Sequence, residues 1–378
     1  MVTSHTKAGA KGKKALTENR KLDHIRICLE QKIESNVPPG FNDITLIHNA
    51  TPEINLADID IRCEFLGQTL QAPIMITAMT GGHQEALAIN QNIAKAVETL
   101  GLSMGVGSQR AAIEDATLAD SFSAARQNAP TAFLVGNIGA PQLSLGYGLK
   151  EAELAIDILK ANALAVHFNA AQEAVQPEGE TNFSGVLQVL RKLTKSLTTP
   201  IIAKETGAGL SREVALQLKK TGVKALDVAG LGGTSWPAVE VKRAKAEDAM
   251  KATLGRWFTD WGIPTAVTTF EVASTVSDIP IIASGGVRTG IDIAKAIALG
   301  AHIGGIALPV LSQAILNEKA VQFYLENLIH GLKAAMFLVG ASTLDELSKT
   351  PLIVNGSTRN WLELRGFDLE ELANRIRK

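Results

Sequence analysis

The sequence predicts an α/β fold, a parallel (β/α)8 TIM barrel with extensions at both termini, and three observations carry that prediction. Eight short apolar runs recur along the chain, most of them separated by segments of helical periodicity. Polar side chains stand where almost every run ends, on what would be one rim of a barrel. The loops after the last two runs, rather than the first, have the make-up of a phosphate site, as the closing loops of such barrels do.

The runs are Ala72–Thr77, Met104–Ser108, Ala132–Asn137, Ala163–Asn169, Pro200–Glu205, Val223–Ala229, Pro280–Ser284 and His302–Leu308. Glu85–Leu100 and Glu213–Lys220 between them read as helices, so strands alternate with helices and the sheet is parallel. A doubly wound open sheet competes, but it places its glycine fingerprint after the first strand. The seventh run ends at Ser284, Gly285-Gly286 lets the backbone approach an anion, and Thr289-Gly290 opens a helix whose free N–H groups face it. The eighth run ends at Ala307-Leu308, followed by Pro309. A lone Gly-Gly pair is ordinarily a tight turn; two such units in tandem point to a phosphorylated ligand.

Composition bounds the rest. A chain of 378 residues with 46% apolar content suits one barrel with extensions, and residues 1–18 read as a basic, disordered tail ahead of a single domain over 19–378. A net charge of −1 gives no broad basic field for nucleic acid or acidic membrane, and no run reaches the length of a membrane span. Cys28 and Cys63 are too few for a disulfide framework and lie in no metal spacing, which fits a reducing, cytoplasmic setting.

The rim residues are Thr77 and Thr80, then Ser108 with Gln109 and Arg110, then Asn137, His167 and Asn169, Lys204 and Glu205, Asp227, and Ser284. For any one of them, a cap or satisfied loop residue is the ordinary explanation; the ensemble is not explained that way. Lys204 follows PIIA and points into the barrel mouth, where it needs an anionic or electron-rich partner: Glu205, Asp227 or a flavin's N1/O2 edge. His167 and Asn169 face one side of their strand, and Glu173 beyond them offers magnesium a carboxylate oxygen, whereas Gln172 brings a neutral amide.

The motifs Arg20-Lys21-Leu22-Asp23-His24, Met79-Thr80-Gly81-Gly82, Gly107-Ser108-Gln109-Arg110, HFNAAQEAVQPEGE over His167–Glu180, GLGGTSW over Gly230–Trp236 and SGGVRTG from Ser284 together resemble the type 2 isopentenyl diphosphate isomerases. The likeness runs from about residue 19 nearly to the C-terminus, and SQR with AQExxQPEGE carries its specificity. The resemblance implies an FMN-dependent enzyme that interconverts isopentenyl and dimethylallyl diphosphates, requires Mg2+, uses NADPH or NADH only to keep the flavin reduced, and assembles as a homo-oligomer, a tetramer or larger. It places the flavin on Thr77, Ala78, Met79, Thr80, Ser108, Asn137, Lys204 and Thr234, with its phosphate on Gly285, Gly286, Val287, Arg288, Ala307 and Leu308. It places the substrate on Arg20, Lys21, His24, Ser108, Gln109, Arg110, His167 and Asn169, with Gln172 and His167 facing the reacting carbons and Glu173 on the metal. Two departures stand out: Ala170 precedes Ala171 where the family usually has proline, and Ala229 stands where a serine often contacts the flavin.

The chemistry agrees with the residues. Moving a double bond by one carbon delivers a proton to one carbon and removes one from another, past a developing tertiary cation. Cys28 and Cys63 lie outside every strand end, so the chain is poor in acid/base dyads, and a reduced flavin fills that gap while Gln172 orients. An FMN-dependent 2-hydroxyacid oxidase or dehydrogenase shares the barrel and the phosphate loops, but needs a histidine base and a carboxylate-binding arginine that GLGGTSW does not supply. An inosine-monophosphate-dehydrogenase-like enzyme needs a loop cysteine that is missing. A flavin-binding protein without turnover has no use for Arg20, Lys21 and Arg110. The connection from Leu231 to Gly262, with KRAKAED inside it, reads as a lid, an oligomer contact or a solvated helix face.

Overall fold

A computed structural model describes residues 21–245 and 248–376. The tail over 1–18 and Arg20 therefore lie outside the described residues, as do two positions of the KRAKAED run.

Eight parallel strands close into a barrel. In chain order they are β1 (Ile74–Ile76), β2 (Ser103–Gly105), β3 (Phe133–Gly139), β4 (Ala163–His167), β5 (Ile201–Lys204), β6 (Ala225–Asp227), β7 (Ile281–Ser284) and β8 (Ile303–Ile306), with β8 pairing back to β1 through Gly304–Ile74 and Ile306–Ile76. All eight sequence runs are strands of this barrel, each ending within a few residues of where its run ends. The apolar residues on both faces are buried because helices cover the outside and side chains fill the inside, which is why the runs read as continuous rather than alternating. The helix Gln84–Leu100 begins on His83, whose ring nitrogen accepts from the Glu85 N–H, and stops at left-handed Gly101.

Two features had no signal in the periodicity. A hairpin of Cys63–Phe65 and Gln68–Leu70 plugs one end of the barrel, Phe65 and Leu70 packing with Met75, Phe133, Val135 and Ile303. Ile44–Leu46 pairs antiparallel with Leu352–Val354, so the two extensions are clasped to each other outside the barrel. Among the described residues no helix is long and apolar enough to cross a membrane.

Candidate active site

The C-terminal ends of the strands surround one cavity with about 1780 Å3 of empty space, its open mouth included. It is lined by Thr77, Ala78, Met79, Thr80, Ser108, Arg110, Asn137, His167, Asn169, Gln172, Glu173, Lys204, Thr234, Gly285, Gly286, Arg288, Ala307 and Leu308, together with Lys21 and His24 of the helix over 21–30. Two of the expected residues stand behind this wall. Gln109 is fully buried, its amide donating to Ala155 O at 2.8 Å and accepting from Asn137 N at 2.8 Å, so it ties the loop after β2 to β3. Val287 is 1% exposed and packs into the core.

The loop at Gly285-Gly286 is built from backbone. Gly285 and Gly286 have φ of 104° and 72°, and a Cβ on either would overlap the carbonyl oxygen of Gly230 or Gly232 in the neighbouring loop. The helix Gly290–Ala298 then departs from the sequence expectation. Asp292 Oδ2 accepts the N–H groups of Arg288 and Thr289 at 3.1 and 3.0 Å, while Thr289 Oγ accepts from Asp292 N at 3.1 Å. This reciprocal capping box closes the helix on its own carboxylate, so those N–H groups are not free for an anion. The helix Leu308–Leu316 carries no such carboxylate: Ala307 offers no side-chain cap, and the N–H groups of Gly286, Ala307 and Leu308 have no acceptor among the described residues. Open N–H groups at a helix N-terminus form an anion site. The Arg288 guanidinium turns away to pair with Glu34 and with Val287 O.

At the barrel centre Lys204 is 7% exposed. Its ammonium donates to the backbone oxygen of Glu205 at 2.5 Å and lies 3.7 Å from Asp227 Oδ2. Glu205 is not its ionic partner, since that carboxylate takes the N–H groups of Thr206 and Gly207 at 2.6 Å each. Asp227 also accepts from Ser284 Oγ at 2.5 Å, and burial raises its carboxyl against the pull of Lys204. Ala229, one of the two departures, holds left-handed backbone at φ 37°, an uncommon conformation for a residue with a Cβ.

His167 is neutral. Its Nδ1 lies 2.8 Å from Asn137 Oδ1, and Asn137 Nδ2 donates to Val106 O at 3.1 Å, which fixes that amide and makes Nδ1 the protonated nitrogen. Desolvation in the barrel mouth, then the charges of Lys204 and Lys21, push its pKa down to about 3. Nε2 consequently carries a lone pair.

Gln172 is held at both ends: Nε2 donates to Glu240 Oε1 at 2.9 Å and Oε1 accepts from Asn169 Nδ2 at 3.2 Å. Glu240, 2% exposed, also takes His24 Nε2 at 3.0 Å and Arg243 Nε at 2.8 Å. Burial pushes that carboxyl upward, but the bond and charge of His24, then Arg243 and Gln172, outweigh it and hold it at about 2. Asn169 Nδ2 reaches Glu173 Oε1 at 2.8 Å, leaving Asn169 Oδ1 buried without a partner. Among the described residues no three metal-binding side chains cluster, and Glu173 offers a single carboxylate.

Two cations guard the mouth. Lys21 donates to Gly81 O and Ser108 O at 2.5 and 3.0 Å and lies 5.4 Å over the Phe122 ring, while Arg110 bonds Glu114 through Nε at 2.8 Å. The terminal amino groups of Arg110 have no acceptor among the described residues, so its fork is available to a bidentate anion.

Sequence reasoning missed Glu240 and Trp236, which flank His24 from one helix, Trp236–Arg243, the indole standing edge-on to the imidazole at 5.1 Å. Their signal was present: the two are four apart, one helical face, immediately after GLGGTSW.

The chain matches the FMN-dependent dehydrogenase family over residues 142–354. It is 48% identical to the isopentenyl-diphosphate delta-isomerase of Metallosphaera sedula over 93% of this chain and 96% of that one. It is 47% identical to the isopentenyl-diphosphate delta-isomerase of Methanothermobacter thermautotrophicus over 95% of this chain and the whole of the relative. Among solved structures it resembles a lactate oxidase of Pediococcus acidilactici (TM-score 0.65, 17% identity, covering 92% of this chain and 94% of that one) and a flavocytochrome b2 variant (TM-score 0.63, 16% identity, 94% and 85%), a likeness in fold alone. With close to half its residues shared over almost its whole length, the chain belongs to the isopentenyl-diphosphate delta-isomerase family, type 2, within the FMN-dependent dehydrogenase barrels.

Proposed function

We propose that the chain interconverts isopentenyl and dimethylallyl diphosphates by a 1,3-proton shift, with reduced FMN held at the barrel mouth. The observation that carries this reading is the presence of two separate anion-binding arrangements in one cavity. One is the open backbone of Gly286, Ala307 and Leu308 with Lys204 nearby in the barrel; the other is the rim of Lys21 and Arg110. A flavin phosphate suits the first, a substrate diphosphate the second. The 2-hydroxyacid oxidase alternative fits less well, because the loop Gly230–Trp236 presents glycine backbone and an indole where that chemistry needs histidine and arginine.

Bound in its reduced form, FMN supplies a group that gives and takes the proton and an electron-rich face for the developing cation. Thr77, Ala78, Met79, Thr80, Ser108, Asn137 and Thr234 would hold its ring, and Lys204 would place an ammonium at its N1/O2 edge. Gln172, anchored by Glu240 and Asn169, orients the alkenyl carbons without titrating. Glu240, ionised at neutral pH, sets a negative charge behind that amide and opposes the positive charge that builds on the carbons. Neutral His167 keeps its lone pair toward the cavity. Arg20, Lys21, His24 and Arg110 would hold the diphosphate and exclude water. Glu173 would share Mg2+ with phosphate oxygens and water, as suits a metal that takes few protein carboxylates. NADPH would serve as the reductant, in the cytoplasm. A second copy of the chain would cover the exposed Met250, Trp257 and Trp261 of the 231–262 connection in a homo-oligomer.

The test is to incubate purified, FMN-loaded protein with isopentenyl diphosphate and Mg2+ and to assay dimethylallyl diphosphate. Product is expected with photoreduced flavin and not with oxidised flavin; equal rates in both states contradict the reading.

A further inference from the structure

Gln142 is a polar residue in this cavity that neither the flavin reading nor the substrate reading uses. It lies on the short helix Ala140–Ser144 that leaves β3, is 6% exposed, and lines the cavity. Its amide makes no hydrogen bond to any described residue. The amide faces the cavity rather than being sealed from it, so water can satisfy it when no ligand is bound, and a ligand's polar atom can take that place as its partner.

The surroundings say what that partner is. A Cβ built on Gly139 would meet both the Gln142 amide oxygen and His167 Nε2, so the two side chains share one stretch of wall. The backbone oxygen of Gln142 accepts from Tyr147 N at 2.9 Å, and the Tyr147 hydroxyl reaches Glu114, the carboxylate that also holds Arg110. Gln142 therefore shares its stretch of wall with His167 and is linked through Tyr147 and Glu114 to Arg110, which lines the same cavity, and no described carboxylate is hydrogen-bonded to its amide. His167 presents a lone pair there, not a proton, which leaves the Gln142 NH2 as the neutral donor on that stretch of wall.

We propose that Gln142 is a substrate-recognition residue, its amide donating to a phosphoryl oxygen of the diphosphate beside Arg110. This rests on the isomerase reading, and the experiment separates the two. Flavin-loaded wild type, Gln142→Leu and Gln142→Glu are titrated with inorganic diphosphate in the presence of Mg2+, with melting temperature, flavin occupancy, KM and kcat recorded alongside. In Gln142→Leu, diphosphate Kd and substrate KM are expected to rise about tenfold or more, with flavin occupancy and melting temperature held, because a hydrogen bond to a charged oxygen is lost. Gln142→Glu keeps the shape and adds a like charge, so its Kd should rise further still, by an amount that shrinks with added salt. A merely structural glutamine would not rank the isosteric variant as the worse binder. Should the leucine variant fail to fold, the glutamate variant decides. Diphosphate binding within twofold of wild type in the folded variants overturns the proposal, whereas wild type that neither binds diphosphate nor turns over overturns the isomerase reading instead.

Discussion

The two helices that follow β7 and β8 face the same cavity from adjacent positions, yet they end in opposite ways. Gly290–Ala298 begins with Thr289 and Asp292 locked on each other's backbone, and carries its own carboxylate at its N-terminus without a ligand. Leu308–Leu316 begins at Ala307 with nothing over its first turn and with Pro309 removing one donor. The first helix thereby fixes the Gly285-Gly286 loop in place, and the second leaves partial positive charge for something else to neutralise. Stability and binding are divided between two neighbouring units that look alike in sequence.

The sharpest way to break this division is at Gly286. Gly286→Val puts a branched side chain on left-handed backbone and into Gly232 O, so FMN affinity is expected to fall by about 100-fold or more, measured by flavin fluorescence titration. Next is Ala307→Asp, which supplies the missing cap in the form of a competing carboxylate. The helix should gain stability while FMN affinity falls by about tenfold or more, since the anion site is then filled from within. Arg110→Ala tests the separate rim: substrate KM should rise by about tenfold or more with flavin affinity within about twofold of wild type. The smallest effect belongs to Asp292→Ala, which opens the closed helix. It should cost about 1 kcal/mol in urea unfolding and leave flavin affinity nearly unchanged, because the freed N–H groups belong to the scaffold.

The same contrast between committed and open groups gives a pH dependence. His167 commits Nδ1 to Asn137 and stays neutral to about pH 3, against an ordinary value of 6.5. Between those values the unfolded chain binds a proton that the folded chain refuses. This contribution to stability is therefore complete above pH 6.5 and is lost, at up to about 1.4 kcal/mol per pH unit, as pH falls through that window. Gln172 does not titrate, and Glu240, held at about 2, adds a slope of the same sign only below its ordinary 4.5, so His167→Gln should flatten the slope of unfolding free energy chiefly between pH 6.5 and 4.5.

The barrel was legible because eight apolar runs bounded by helices admit few closed topologies, and the strand ends were legible because the rim residues are polar where their runs stop. What stayed hidden depends on contacts between distant segments. Gln109 and Lys204 both stand at or just after the end of an apolar run, but only the fold shows that one amide is consumed by Ala155 and Asn137 while the other side chain opens on the cavity. The capping of Thr289 by Asp292 was written in the local sequence as a T-x-x-D pattern, and the glycines beside it drew the reading toward an anion site. Glu240 was hidden for a different reason: its importance lies in holding His24 and Gln172, which are 216 and 68 residues away. The clasp of Ile44–Leu46 on Leu352–Val354 is likewise a pairing across nearly the whole chain, invisible to periodicity.

The measurement that tests the central claim most directly is the ratio of dimethylallyl diphosphate formed to NADPH oxidised, under anaerobic conditions with FMN-loaded protein. A barrel that uses its flavin for proton transfer should form many products for each NADPH consumed, because the flavin ends every cycle in the state in which it began. A fixed one-to-one ratio, or flavin reoxidation coupled to each product, would contradict the account and return the protein to the dehydrogenases whose fold it shares.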